Sequence, residues 1–475
     1  MLDSSTRQPS RRPPLGSTHR VAAEAVSSAG WKKPIRLFLA ALPLLASACA
    51  GHAAQTAKAR NALDAGQPKQ ALEALNEKLD VKRAEDVPNN ILNDKILFVL
   101  DRSMVLMQLG RYDLSSRDLE LGDKQLMVLD FSHSTKDDLG KYLFSDDTGP
   151  YRAPAYEKLL VNTMNMMNYL ARGDLQGARI EARRMSVLTE YFKNAGEDTK
   201  AFLAPGSYLA GFIFEKSGQA DEALRYYDEA LAHSRFSSLG QAVARLTERG
   251  SFRSPRLEEV VAKGTRTAGS DADDQTGEIL VVVNYGRVPA KIAERVPIGL
   301  ALTYASGALS PYDVNRANRL AAQGLVTWVN FPRLGRPTGQ WATPHVSIDG
   351  QSEDPEPALS VDHAAFKAWE EVQGTVVASA ITRMLARVVA GQAVSHAKDG
   401  IVGLLLSLGT QATLTAMDTP DTRSWSTLPA RIAIARLQVK AGTHLVDVNV
   451  QGDRLQQKVT VKPGGWAAVV HTVLR

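Results

Sequence analysis

The most distinctive reactive group in this 475-residue chain is a single thiol, at Cys49. A thiolate is a nucleophile, and with no second cysteine it has no disulfide partner within the chain. Its surroundings are ordered. Lys32, Lys33 and Arg36 precede an apolar run at 37–45, and the small residues Ala46, Ser47 and Ala48 lead directly to Cys49. That is the order of parts in an export peptide, and the run is shorter than the roughly 20 apolar residues that cross a bilayer. Elsewhere the histidines after Cys49 stand singly, at 52, 133, 233, 345, 363, 396, 444 and 471, with no metal-ligand spacing. Asp130, His133, Asp137 and Asp138 come nearest to a ligand set, but they lie in a polar stretch and read as solvated surface. Nucleophile elbows, phosphate loops and dinucleotide fingerprints are missing from the sequence, so no catalytic residue, metal or cofactor is expected.

The 37–49 segment resembles the lipobox of bacterial lipoproteins, although Ala46 stands where leucine is commoner and the leader is long. The resemblance implies that Cys49 becomes the lipidated first residue. Ala50 in place of an aspartate then implies the outer membrane, with the body facing the periplasm.

Two further constellations could make contacts. In extended chain Asp421, Arg423 and Trp425 share a face, which sets a carboxylate, a guanidinium and an indole in a row. Pro429 disfavours helix at Leu428, so the segment should lead extended into a strand near Ile432. It reads as a structural clip, with a ligand-facing aromatic site as the alternative. The second constellation is a polar seam. Asn162, Asn165 and Asn168 recur every three residues on one helix, as Glu181 and Arg184 do on the next. Counted from a turn at Gly173, Asn165 matches Glu181 in height and Asn162 matches Arg184. If open on a concave face, Asn162, Asn165, Glu181 and Arg184 would hold an extended peptide; otherwise they bond one another across the hairpin.

These groups need elements to position them. In four places a glycine is followed by a small residue five positions on and an apolar residue at nine. The sets are Gly66, Ala71 and Leu75; Gly110, Ser115 and Leu119; Gly173, Ala178 and Ala182; Gly218, Ala223 and Tyr227. Glycine ends one helix in a left-handed cap, and the small residue lets the returning helix come close. Such pairs must stack to bury their faces, as tetratricopeptide-like repeats do. Residues 251–276 are polar and aperiodic, a linker. Beyond them the run 279–283 is a strand buried on both faces, with further strands at 326–329, 346–348 and 446–474. Helix returns from Asp362, with Phe366, Trp369, Val372, Val376 and Ala380 on one face, and the short apolar run 401–408 reads as core helix.

Charge narrows the function. Seven of the 56 basic and two of the 51 acidic residues lie in 1–48, so the remainder is formally neutral and offers no basic patch for nucleic acid.

The hairpin around Gly173, with Glu181 to Arg184, together with Val288 to Lys291 and the 421–429 segment, resembles an uncharacterised family of tetratricopeptide-containing bacterial lipoproteins. The resemblance implies an envelope location and a role beside cell-wall or outer-membrane machinery, without an assigned activity. The expected protein is α+β. Residues 1–48 are a signal peptide, 49–250 a helical-repeat domain, 251–276 a linker, and 277–475 a β-sandwich-like domain with a helical insertion at 362–417. It is expected to be a non-catalytic scaffold, tethered by lipid, that binds other envelope proteins or peptides. The alternatives are an envelope-polymer hydrolase, and a β-domain that binds glycan or peptidoglycan through Trp328, Trp341 or Trp425.

Overall fold

The computed structural model describes residues 52–91, 94–131, 150–264, 275–324, 328–336, 342–396 and 419–475. Cys49 with its export segment, Trp341, the 132–149 stretch and the apolar run 401–408 lie outside the described residues.

After a single turn at His52–Gln55, the longer helices among the described residues come first: α1 (Ala57–Asp64), α2 (Pro68–Lys78), α3 (Lys95–Gln108), α4 (Tyr112–Phe131), α5 (Ala155–Ala171), α6 (Leu175–Asn194), α7 (Leu203–Lys216), α8 (Ala220–His233), α9 (Leu239–Thr247) and α10 (Pro255–Gly264). Four successive pairs, α1/α2 to α7/α8, share one turn geometry. Gly66, Gly110, Gly173 and Gly218 all take left-handed backbones, with φ of 68°, 70°, 71° and 74°. In each turn the following residue donates its N–H five residues back, as Arg111 does to Leu106 (2.8 Å) and Gln219 to Phe214 (2.9 Å). Ala71, Ser115, Ala178 and Ala223, five residues after each glycine, are fully buried. Close approach is also built in at Gly211, where an added Cβ would sit 2.4 Å from the Tyr227 ring.

Strand β1 (Thr276–Tyr285) is the centre of the next layer. It pairs in parallel with β10 (Trp466–Val473) and antiparallel with β7 (Arg431–Lys440), and β7 pairs with β6 (Glu356–Ser360). A second sheet has the order β5 (Gln351–Glu353), β4 (His345–Ile348), β8 (Gly442–Val450), β9 (Asp453–Val461). Alternation along β1 explains how the layers stack. Leu280 and Val282 join the helical core, while Ile279, Val281 and Val283 join an apolar cluster with Val346, Val446 and Val448 of the second sheet. The first sheet is thus covered by helices on one face and by the second sheet on the other. Being buried twice is why its sequence is a continuous β-branched run rather than an alternating one.

A smaller unit comprises the β2 (Lys291–Pro297) and β3 (Trp328–Leu334) ribbon with α11 (Ile298–Tyr304), α12 (Pro311–Ala322) and the long α13 (Val361–His396). Helix α13 serves two cores. Ala365 and Trp369 belong to the main one, and Val377, Ile381 and Leu385 to the small one. Between them Val372 is 48% exposed, so the single apolar face expected from 366 to 380 is interrupted where the helix passes from one core to the next. Asp362 lies inside the first turn rather than capping it, and its buried carboxylate pairs with Arg431.

The fold is mixed α+β. The described residues form one compact unit. The main core runs from Ala59 through Val260 to Leu280, Trp425, Ile434 and Leu474. A boundary near 250 therefore separates kinds of secondary structure within one packed body. The stretch expected as linker carries α10, whose Leu257 and Val260 are buried.

Candidate functional site

The 421–429 segment enters the molecule between the helices and the first sheet. Arg423 grips Asp421 with two nitrogens, Nε to Oδ1 at 2.8 Å and Nη2 to Oδ2 at 2.9 Å, and reaches Asp94 with Nη1 at 3.1 Å. The planar guanidinium suits this fork–fork contact. Its aromatic neighbour is the Tyr151 ring, 5.9 Å away, rather than Trp425. The Trp425 N–H donates to Glu157 of α5 (3.2 Å), and its indole is buried with Nε1 unpartnered. Thr427 donates both its N–H (3.1 Å) and its hydroxyl (2.9 Å) to Asp101 of α3, and the His52 ring lies 3.5 Å from the same carboxylate. Pro429 is buried with the rest of the turn, and the Leu428 carbonyl accepts from Val288 (2.9 Å). Burial raises the Glu157 carboxyl, although the Tyr151 hydroxyl that donates to it at 2.5 Å pulls the other way. Arg423 and Leu428 also bond within the segment, and Asp94, Asp101, Glu157 and Val288 tie it to the rest of the protein, as a clip requires. A buried Trp425 also removes one of the three tryptophans offered to a glycan; Trp328 is 46% exposed.

The polar seam of the Gly173 hairpin is turned inward. Asn162, Asn165 and Asn168 are 0–1% exposed and Glu181 2% exposed, while the Arg184 side chain is half exposed. Asn162 donates to Glu181 (2.9 Å), Arg184 donates to the other Glu181 oxygen (3.0 Å), Asn165 accepts from Ser116 of α4 (2.5 Å), and Asn168 donates to Ser115 (2.9 Å). Asn162, not Asn165, therefore meets Glu181. Three residues separate the observed partner from the one counted by height, about 4.5 Å along a helix axis, which the glutamate side chain spans. Asn165, Asn162 and Glu181 cannot meet a peptide on an open face, because neighbouring helices in the stack use them first.

Sequence reading missed a third cluster, and it borders a cleft. Arg436 of β7 lies beneath α7, donating to Glu215 (2.7 and 2.9 Å) and to Glu278 of β1 (2.6 Å), and also to the Tyr227 hydroxyl (2.9 Å). Lys216 bridges the same two carboxylates at 2.9 and 2.5 Å, and Arg245 reaches Glu278 at 2.5 Å. Burial alone would raise the Glu278 carboxyl. The charges of Arg436 and Lys216 outweigh it and bring the group down to about 2. Glu215 is lowered by the same two cations against its burial. Carboxylates held ionised in this way donate no proton near neutrality, so the cluster locks α7 onto the sheet. Its one sequence signal was Arg436 itself, a charge inside the otherwise apolar strand 432–437.

Above this cluster lies a cleft of about 670 Å³, lined by Lys216, Arg245, Arg249, Glu222, Glu278 and Trp466 among others. A neighbouring groove of about 530 Å³ shares Gly465 and Trp466 with it, and runs between the α5–α6 turn and β9. Among the described residues no group of three histidines, cysteines or carboxylates is placed to hold a metal ion. No helix among them is long and apolar enough to cross a membrane. No family model, curated protein or solved structure matches the chain.

Proposed function

We propose that this chain is a non-catalytic lipoprotein of the cell envelope, anchored at Cys49 in the outer membrane and facing the periplasm. Its tetratricopeptide-like hairpins and sandwich-like pair of sheets hold other envelope proteins or peptides, in the service of cell-wall or outer-membrane biogenesis. The observation that carries this reading is the repeated glycine turn, with the same left-handed cap and the same buried small residue in four consecutive helix pairs. A stack of pairs leaves exposed turns and grooves along its length, which is how repeat architectures recruit partners. The export-type segment ending in the only cysteine supports the anchor.

Two measurements test it. Cys49→Ser should move the protein from the membrane to the soluble fraction; equal partition of wild type and variant would refute the anchor. Crosslinking in intact cells, followed by pull-down, should retrieve defined envelope proteins; a chain that crosslinks to none under conditions that trap known complexes is no scaffold.

A further inference from the structure

Strand β10 is an outer strand of the first sheet, with β1 on one side only. Its direction of bonding follows from three contacts. Glu278 donates to the Gly465 carbonyl (3.1 Å) and Gly286 to the Val473 carbonyl (3.0 Å), so odd-numbered residues turn their main chain toward β1. Even-numbered residues therefore turn theirs outward, and the Val470 carbonyl does accept from the Tyr112 hydroxyl on that side (2.7 Å). Leu474 likewise donates to the Gln108 side chain (3.3 Å). The far end of the edge is thus blocked by α3 and α4, in the way proteins protect a bare strand. At the near end, the outward groups of Trp466 and Ala468 have no partner among the described residues.

Those two residues line the groove of about 530 Å³ whose opposite wall is Leu170 to Gly173 at the α5–α6 turn. The charged residues lining it are Arg172 and Lys462, with no acidic residue among the lining. Arg172 is steadied over the Tyr169 ring at 4.6 Å; Lys462 is exposed and makes no ion pair among the described residues. An open strand edge supplies main-chain hydrogen bonds to an extended guest, and flanking side chains choose which guest. We propose that this groove binds an extended, acidic segment of a partner protein, which adds as a short strand to the open start of β10. The proposal rests on the scaffold reading above and specifies its partner class.

The test uses the full-length chain in detergent and a fluorescein-labelled octapeptide of alternating valine and glutamate, followed by fluorescence anisotropy. Saturable binding is expected, weakened at least ten-fold when every second peptide nitrogen is methylated, because strand addition needs those N–H groups. Lys462→Glu, at an exposed side chain, should weaken the glutamate peptide at least ten-fold and improve binding of a valine–lysine counterpart. Equal binding of the methylated peptide, or no saturable binding to the wild type, overturns the proposal. The in-cell crosslinking is run on the same two proteins. Unchanged crosslinks with no peptide binding remove the groove and leave the scaffold; peptide binding with no crosslinks in either protein does the reverse.

Discussion

Glu181 in the helical stack and Glu278 at the helix–sheet junction have side chains exposed by only 3% and 7%, and they titrate in opposite directions. Burial raises the Glu181 carboxyl, and the Asn162 amide with the half-exposed Arg184 does not make up for it, since Asp123 and Glu120 are also near. Glu278 suffers comparable desolvation but faces Arg436, Lys216 and Arg245, and falls to about 2. Burial thus sets the size of the electrostatic problem, and the number of converging cations sets its sign. Along the Gly173 hairpin the stack encloses amides and hydroxyls, which are neutral and cheap to bury, although α3 and α4 also enclose one ion pair, Arg102 with Asp118 (2.6 Å). The junction encloses charges, which hold α7, β1 and β7 in one arrangement and leave a large penalty if one partner is removed.

The largest expected effect comes from removing the junction's central cation. Arg436→Met should cost roughly 3–5 kcal/mol in urea denaturation, the usual consequence of stranding buried charges. A loss below about 1 kcal/mol would mean that Lys216 and Arg245 suffice. A smaller effect is expected on the acid limb of stability. The lowered Glu278 carboxyl contributes stability that is fully present above pH 4.5 and is lost as pH falls toward 2. Glu278→Gln should flatten that part of the profile, and a limb of unchanged slope would assign acid unfolding to other groups. Smallest is the effect in the stack. A raised carboxyl contributes stability present below pH 4.5 and lost as pH rises through its shifted value, so Glu181→Gln should gain on the wild type as pH rises. At neutral pH the variant should lie within about 1 kcal/mol of wild type, because the amide oxygen can still accept from Asn162. A strong loss there would show that Glu181 behaves like the junction acids.

The sequence alone determined the four helix-pair turns and several strands, though not α10, which lies in the stretch expected as linker. Glycine is the residue that takes φ near 70° without strain, so Gly66, Gly110, Gly173 and Gly218 marked four turns, and the small residue five positions on marked each close approach. The β-branched run in β1 announced a strand buried on both faces, and the Asp421–Arg423 pair followed from alternation in an extended chain. These are local consequences of backbone sterics and side-chain period, readable within about ten residues. Which face met which partner was decided only by the tertiary structure. Whether Asn165 and Asn162 faced a partner or the neighbouring helices was open until α4 and α6 were stacked on them, and Val372 looked buried until α13 was divided between two cores. Glu215, Glu278 and Arg436 come from three distant stretches of chain, and nothing in any one stretch foretells the other two. The open start of β10 is likewise a matter of sheet order. A strand's sequence records how apolar its faces are, whereas its free edge depends on which strand lies beside it.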